Sequence, residues 1–240
     1  MGYDIITGRN ESDKKNFGDK GLVYIGKGYV KMEQYTSLSN KILMDVARSH
    51  VILVAGKRGS GKSYTLGVLT EELSNLPKEV SQNIASLIFD TMGIYWTMKF
   101  QNEKDKELLN EWGLQPKNLP VKVFVPFGHY DSYIAKGIPA EEKFALGVGE
   151  LGSEDWILTF GLDIVNPIAV LIERTITKLK KQGTFDIDDI ISNLEEDEKT
   201  TTEIKNAATG LFEAADTWGV FARKGEEPTQ VSDLINAGMT

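Results

Sequence analysis

Cysteine is absent from the 240-residue chain, which excludes disulfides, thiolate metal sites and cysteine nucleophiles. Imidazole is scarce: His50 and His129 stand far apart, neither with a second ligand at metal spacing, so each reads as a structural or surface residue. No window approaches the ~20 apolar residues of a membrane span. Met1-Gly2-Tyr3-Asp4 carries neither the basic region nor the apolar stretch of a leader, so the expectation is a cytoplasmic protein with no membrane partner. An excess of positive charge is missing as well. A net charge of −8 and a pI near 5.0 argue against a surface that coats nucleic acid non-specifically, while leaving room for a local basic patch.

What is present is ordinary globular composition, 41% hydrophobic and 26% charged, so folded structure is expected nearly throughout. Short apolar stretches among Gly18, Gly21, Gly26 and Gly28 suggest a small β-rich N-terminal cap over residues 1–48. Val51-Ile52-Leu53-Val54-Ala55 is a continuous apolar run ending at glycine, the pattern of a strand buried on both faces of a parallel sheet. A helical pattern from Lys62 to about Leu76 follows, with Leu66, Leu69 and Leu73 on one face and Pro77 at its end. Further strands are expected at Ser86–Asp90 and Val121–Val125, with a helix near Lys104–Trp112 between them. This is the grammar of an α/β fold with right-handed crossovers, here a partial parallel sheet spanning 49–138.

From 139 to 240 helical periodicity dominates, giving a mainly helical insertion. Asn166-Pro167 caps a helix whose apolar face is Ile168, Leu171, Ile172, Ile176 and Leu179, closed by Lys178, Lys180 and Lys181. Those lysines read more readily as cations at a helix C-terminus than as a nucleic-acid patch. Two more helices are expected over Ile187–Leu194 and Ile204–Trp218.

Gly56-Lys57-Arg58-Gly59-Ser60-Gly61-Lys62-Ser63 fits G-x-x-x-x-G-K-[ST] without mismatch. Glycines let successive N–H groups turn inward around phosphates, and the following helix offers its positive end to the same anion. Lys62 is expected to reach the β- and γ-phosphate oxygens, and the Ser63 hydroxyl to ligate Mg²⁺. The chemistry is nucleoside triphosphate binding, with ATP and Mg²⁺ as cofactors. Asp90, at the end of the next strand, is a candidate to orient a Mg²⁺-bound water, with a plain strand-end cap as the alternative. Asp90-Thr91-Met92-Gly93 also spells a GTPase-like D-x-x-G, but no N/T-K-x-D follows: Asn102-Glu103-Lys104-Asp105 and Thr177-Lys178-Leu179-Lys180 both fail it. No run of four apolar residues followed by Asp-Glu supplies a water-activating carboxylate. Glu213 and Asp216 fall in a helical pattern, and Asp186, Asp188 and Asp189 read as a helix start.

The stretch from Val54 through Tyr64-Thr65-Leu66-Gly67 resembles the archaeal HerA-like ATPases of the HerA–FtsK superfamily. Ser39-Asn40-Lys41, Asp45 and His50 upstream and Asp90–Trp96 downstream extend the likeness, which covers residues 20 to 240. It implies a RecA-like core, ring-shaped homo-oligomers (often hexamers), and ATP-driven translocation of double-stranded DNA, frequently with a nuclease partner. The Walker A roles carry over to Gly56, Gly61, Lys62 and Ser63, and Tyr64 closes the nucleotide-binding stretch. Two departures stand out. The N-terminal cap is shorter than the family's β-barrel, and Asp233–Thr240 stops where a further core strand is due, which suggests a truncated chain with its Walker B strand downstream. The trans-acting arginine stays open among Arg48, Arg174 and Arg223. Three readings therefore remain: an ATPase translocase, an ATP-dependent switch module without efficient hydrolysis, and a GTPase.

Overall fold

The computed structural model describes residues 3–31 and 36–236; of Asp233–Thr240, the expected approach to a further strand, 233–236 are helical and 237–240 lie outside the described residues. The chain divides into a first unit, made of the chain up to Val121 together with the residues from Ile235 on, and a second unit, Lys122–Leu234, the boundary falling within the last described helix. Among the described residues no helix is long and apolar enough to cross a membrane.

The first unit opens with β1 (Ile5–Thr7), α1 (Glu11–Phe17), β2 (Leu22–Lys31) and β3 (Thr36–Asp45). The sheet order is β1-β3-β2, with β1 parallel and β2 antiparallel to β3, and β2 carries irregularities between Tyr24 and Gly26 and between Lys27 and Tyr29. A buried ion pair joins the residue stretch after β1 to the end of β3. Arg9 donates from Nη2 to Asp45 Oδ1 at 2.5 Å, and neither side chain is exposed. The Ala47 amide and His50 Nε2 also reach the Asp45 carboxylate, at 2.9 and 3.3 Å. Burial alone would raise the Asp45 carboxyl, but the bonds from Arg9, the Ala47 amide and His50, with the Arg9 charge, outweigh it and hold the group below its usual value. His50 thus serves the structure, as expected.

After residues 51–61 come α2 (Lys62–Ser74), which packs on β2, then α3 (Lys78–Ser81) and α4 (Lys106–Glu111). Pro77 stands at the start of α3, and Gly113 with φ 72° follows α4. Neither 51–55 nor 86–90 is a strand among the described residues; Ser86 and Val121 are single bridge residues. Val51 and Leu53 are exposed, Leu53 at 89%, and so is Phe89.

The second unit begins with β4 (Phe124–Pro126), α5 (Tyr130–Ala135) and β5 (Glu142–Phe144), with β4 and β5 parallel. It continues with α6 (Ser153–Thr159), α7 (Pro167–Gln182), α8 (Ile187–Glu195) and α9 (Thr202–Asp216), and α10 (Val231–Asn236) is the last described element. Asn166 caps α7 by accepting from the Ile168 amide, as its Asn-Pro start requires. Asp186 and Asp189 form a reciprocal box at α8, each carboxylate accepting from the other's amide at 3.1 Å. The apolar stripe of α7 meets Ile187, Ile190 and Leu194 of α8, Ala208 and Phe212 of α9, and Trp156 of α6 in one buried cluster. The short α6, which periodicity does not reveal, supplies its largest side chain.

Candidate phosphate-binding loop

The loop from Gly56 to Ser63 is shaped by its glycines. Gly59 and Gly61 have φ of 80° and 86°, left-handed values that favour glycine. A Cβ on Gly56 would come within 2.3 Å of the Ser60 hydroxyl oxygen. The turn is closed by the Ser60 amide donating to the Lys57 carbonyl at 3.1 Å. Lys62, the first residue of α2, folds its ammonium back over the loop and donates to the Gly56 and Lys57 carbonyls, each at 2.9 Å. A cation is thereby held against the ring of backbone that the motif creates.

The N-terminus of α2 has neither a side-chain cap nor a first-turn acid, whereas α3, α4, α5 and α9, also without a side-chain cap bond, each carry an acid there. The helices α1, α7 and α8 each begin with an Asn or Asp side chain that accepts from a first-turn amide. At α2 the capping position is Gly61, which offers no side-chain acceptor, and no acidic residue occupies the first turn. The amide donors and partial positive charge of that end are left for an outside anion. These features fit a phosphate chain: small residues where the loop curls, a cation over it, and an unsatisfied helix end behind it. Lys62 and the loop amides would hold the phosphates, with the Ser63 hydroxyl at the same helix start available to Mg²⁺.

Asp90 is placed differently from a free ligand. Its Oδ2 accepts from the Tyr95 amide at 2.7 Å and its Oδ1 from the Met92 amide at 3.3 Å, bracing the turn through Gly93. That turn is tied to the loop, because the Tyr95 hydroxyl donates to the Ser63 carbonyl at 3.1 Å. Tyr64 projects from the first turn of α2 and is exposed, as are Lys57, Arg58 and Ser60. Among the described residues no group of three His, Asp or Glu side chains is arranged to hold a metal ion.

The three arginines left open by the sequence are all engaged. Arg48 pairs with Asp13 and lies over Phe17. Arg174 pairs with Asp197, and Arg223 with Asp216 and Asp188. Among the carboxylates of 186–216, Asp186 and Asp189 form the α8 cap, Asp188 and Asp216 pair with Arg223 and Asp197 with Arg174, while Glu213 lies exposed on α9. Lys178 donates to Asn193, a contact between α7 and α8.

A family model described as "Helicase HerA, central domain" matches residues 28–237, most of the chain. The chain belongs to the HerA family. It is thus a HerA-like P-loop NTPase of the HerA–FtsK superfamily, and the loop geometry is the part of this HerA-family chain that carries the class. No curated protein and no solved structure matches the chain.

One feature of the HerA-family site is not evident from its motif. Beside α2 lies a cavity of about 790 Å³, whose lining includes Ser63, Tyr64, Trp96, Phe100 and Leu119. Two sequence signals could have pointed to it: a glycine, Gly67, inside an otherwise strong helix, and three aromatics within Tyr95–Phe100.

Proposed function

We propose that the chain is the nucleotide-binding part of an ATP-driven, HerA-type translocase acting on double-stranded DNA. The single observation that carries the nucleotide reading is the uncapped start of α2 behind a loop whose lysine is drawn over it. Gly56 through Tyr64 would cradle ATP, with Lys62 against the β- and γ-phosphate oxygens and Ser63 on Mg²⁺. Asp90, braced on the turn amides beside Ser63, would accept a Mg²⁺-bound water with its remaining lone pairs. Mg²⁺, when bound, offsets the negative charge on the phosphates. No carboxylate of 186–216 is assigned to water activation: Asp186, Asp188, Asp189 and Asp216 hold the α8 cap and Arg223, and Glu213 lies exposed within α9.

The RecA-like sheet, the homo-oligomeric ring, the nuclease partner and the cytoplasmic setting belong to the same proposal. They are supported by family membership. The alternative is an ATP-dependent switch module, favoured by one observation: the second unit has a continuous core and could respond as a body. Steady-state turnover with and without duplex DNA separates the two. Translocase chemistry gives DNA-stimulated ATP hydrolysis that Lys62→Ala abolishes, whereas a switch gives saturable binding with little hydrolysis. Retained DNA-stimulated turnover in Lys62→Ala would refute the role given to the loop. Preference for GTP in competition would favour the third reading.

A further inference from the structure

Ser63 and Asp90 lie on separate segments, and a single residue bonds to both. The Tyr95 amide donates to Asp90 Oδ2 at 2.7 Å, and the Tyr95 hydroxyl, 32 residues on from Ser63, donates to the Ser63 carbonyl at 3.1 Å. The turn that carries Tyr95 is braced locally. The Gly93 amide donates to the Asp90 carbonyl at 3.4 Å, the Trp96 indole Nε1 to the Gly93 carbonyl at 2.9 Å and the Thr97 hydroxyl to the Ile94 carbonyl at 2.6 Å. Gly93, with φ 64°, takes the chain through the left-handed region into a short 3₁₀ helix, Tyr95–Lys99. These bonds keep the turn in shape without the Tyr95 hydroxyl. Helix α2 does not depend on that hydroxyl either. In the α-helical pattern the Ser63 carbonyl already accepts an amide one turn on, and the tyrosine takes its second lone pair. What the hydroxyl adds is a fixed approach of the turn to α2: among the described residues it makes the one hydrogen bond between 90–97 and that helix.

We infer that Tyr95 is a positioning residue for the Mg²⁺ that accompanies the nucleotide, setting the Asp90 carboxylate at a fixed separation from the Ser63 hydroxyl. The inference rests on the phosphate-loop reading, with Ser63 and Asp90 as the groups on the metal side. Octahedral Mg²⁺ coordination tolerates little departure from its ideal geometry and retains several waters. Groups that reach it from two segments, one directly and one through a water, therefore need a defined spacing, and sites of this kind work within about 0.5 Å of their productive arrangement. Each Asp90 oxygen accepts one amide and keeps a lone pair for such a water. Tyr95 acts through these two residues, with no contact to the metal assigned to it.

The test measures binding of the ATP analogue with an imido β–γ bridge, which is not turned over, by calorimetry on the full chain, once in excess Mg²⁺ and once in EDTA. Tyr95→Phe deletes the hydroxyl alone. Its affinity should fall about three- to tenfold in Mg²⁺, the scale of one hydrogen bond, and stay within about twofold of the parent in EDTA. The melting temperature should stay within about 2 °C of the parent, since both segments keep their own bonds. In an Asp90→Asn background the same substitution should lose most of its effect, because residues that act through one arrangement are not additive. Unchanged affinity in Mg²⁺ overturns the positioning role, as does an equal loss in both conditions or a full Tyr95→Phe effect without the Asp90 carboxylate. Failure of the phosphate reading looks different: the parent would bind the analogue in neither condition, or Lys62→Ala would bind it as the parent does, and the role of Tyr95 would fall with it.

Discussion

The two units of this chain satisfy their apolar residues in opposite ways. In the second unit the cluster around Trp156, Ile172, Leu194 and Phe212 is closed to solvent, Trp156 being 1% exposed and ringed by Phe160, Phe212 and Phe221. In the first unit the buried apolar side chains among the described residues are Val23, Leu76 and Leu119, while its most apolar run, Val51–Ala55, lies largely open. The difference follows from the range of the contacts each architecture needs. Helices satisfy their own backbone and have only to present a stripe to a neighbour close in sequence. A strand buried on two faces needs partners for its backbone on both edges and for its side chains above and below. The first unit instead relies on polar fixtures, the Arg9–Asp45 pair above all.

The comparison breaks most sharply at Trp156. Trp156→Ala should destabilise the second unit by about 3–5 kcal/mol, the usual range for an aromatic removed from a closed core. Denaturant unfolding followed at both units would show the loss confined to one. A loss under 1 kcal/mol would mean that the cluster is less tightly packed than its burial indicates.

The corresponding fixture of the first unit is electrostatic. Asp45→Ala leaves Arg9 buried without its carboxylate, and a cost of about 3 kcal/mol is expected. Acid should act on the same pair. Because the folded Asp45 carboxyl titrates below its unfolded value, the stability it contributes is present above the ordinary aspartate range and is lost as pH falls through the lower, folded value. An acid titration of stability in which Asp45→Asn flattens that limb would support the assignment. A limb unchanged by the substitution would place the acid sensitivity elsewhere.

How much of this was legible in the sequence depends on the same distinction of range. The helices α2, α7, α8 and α9 follow from spacing and local signals, because Asn166 and Asp186 act on amides a few residues away and Gly61 supplies the left-handed turn before α2. The loop was legible for the same reason: its glycines and lysine complete their geometry within eight residues. The helix α6 was not. Ser153–Thr159 is too short to display a period, and its start is set by Asp155 accepting from the Gly152 amide rather than by a Ser or Thr cap. The pairings of Arg48, Arg174 and Arg223 were likewise out of reach, since their carboxylates lie 7 to 35 residues away and no local pattern selects them. The cavity beside α2 joins residues from Ser63 to Leu119, and only Gly67 and the aromatics near Trp96 hinted at it.

A smaller effect is expected at the α8 cap. Asp186→Ala removes the acceptor for the Asp189 amide and should cost the second unit about 1 kcal/mol. Since Asp186 Oδ2 also accepts from the Lys224 amide at 3.1 Å, Asp186→Asn should recover much of the loss if the cap dominates. No recovery would assign the cost to the carboxylate charge.

The smallest effect is expected where hydropathy alone would forecast the largest. Leu53 belongs to the most apolar run of the first unit, yet it is 89% exposed, and none of the backbone groups of 51–55 is bonded among the described residues. Leu53→Ser should therefore change the stability of this 240-residue chain by less than about 0.5 kcal/mol, as surface substitutions do. The same substitution should raise solubility, because an exposed apolar segment with free backbone groups is a template for pairing between chains. Equilibrium unfolding and light scattering on parent and variant decide it together. A loss of 2 kcal/mol or more would show that Leu53 is buried in solution, either within the chain or between copies, and dependence of that loss on protein concentration would identify the second case.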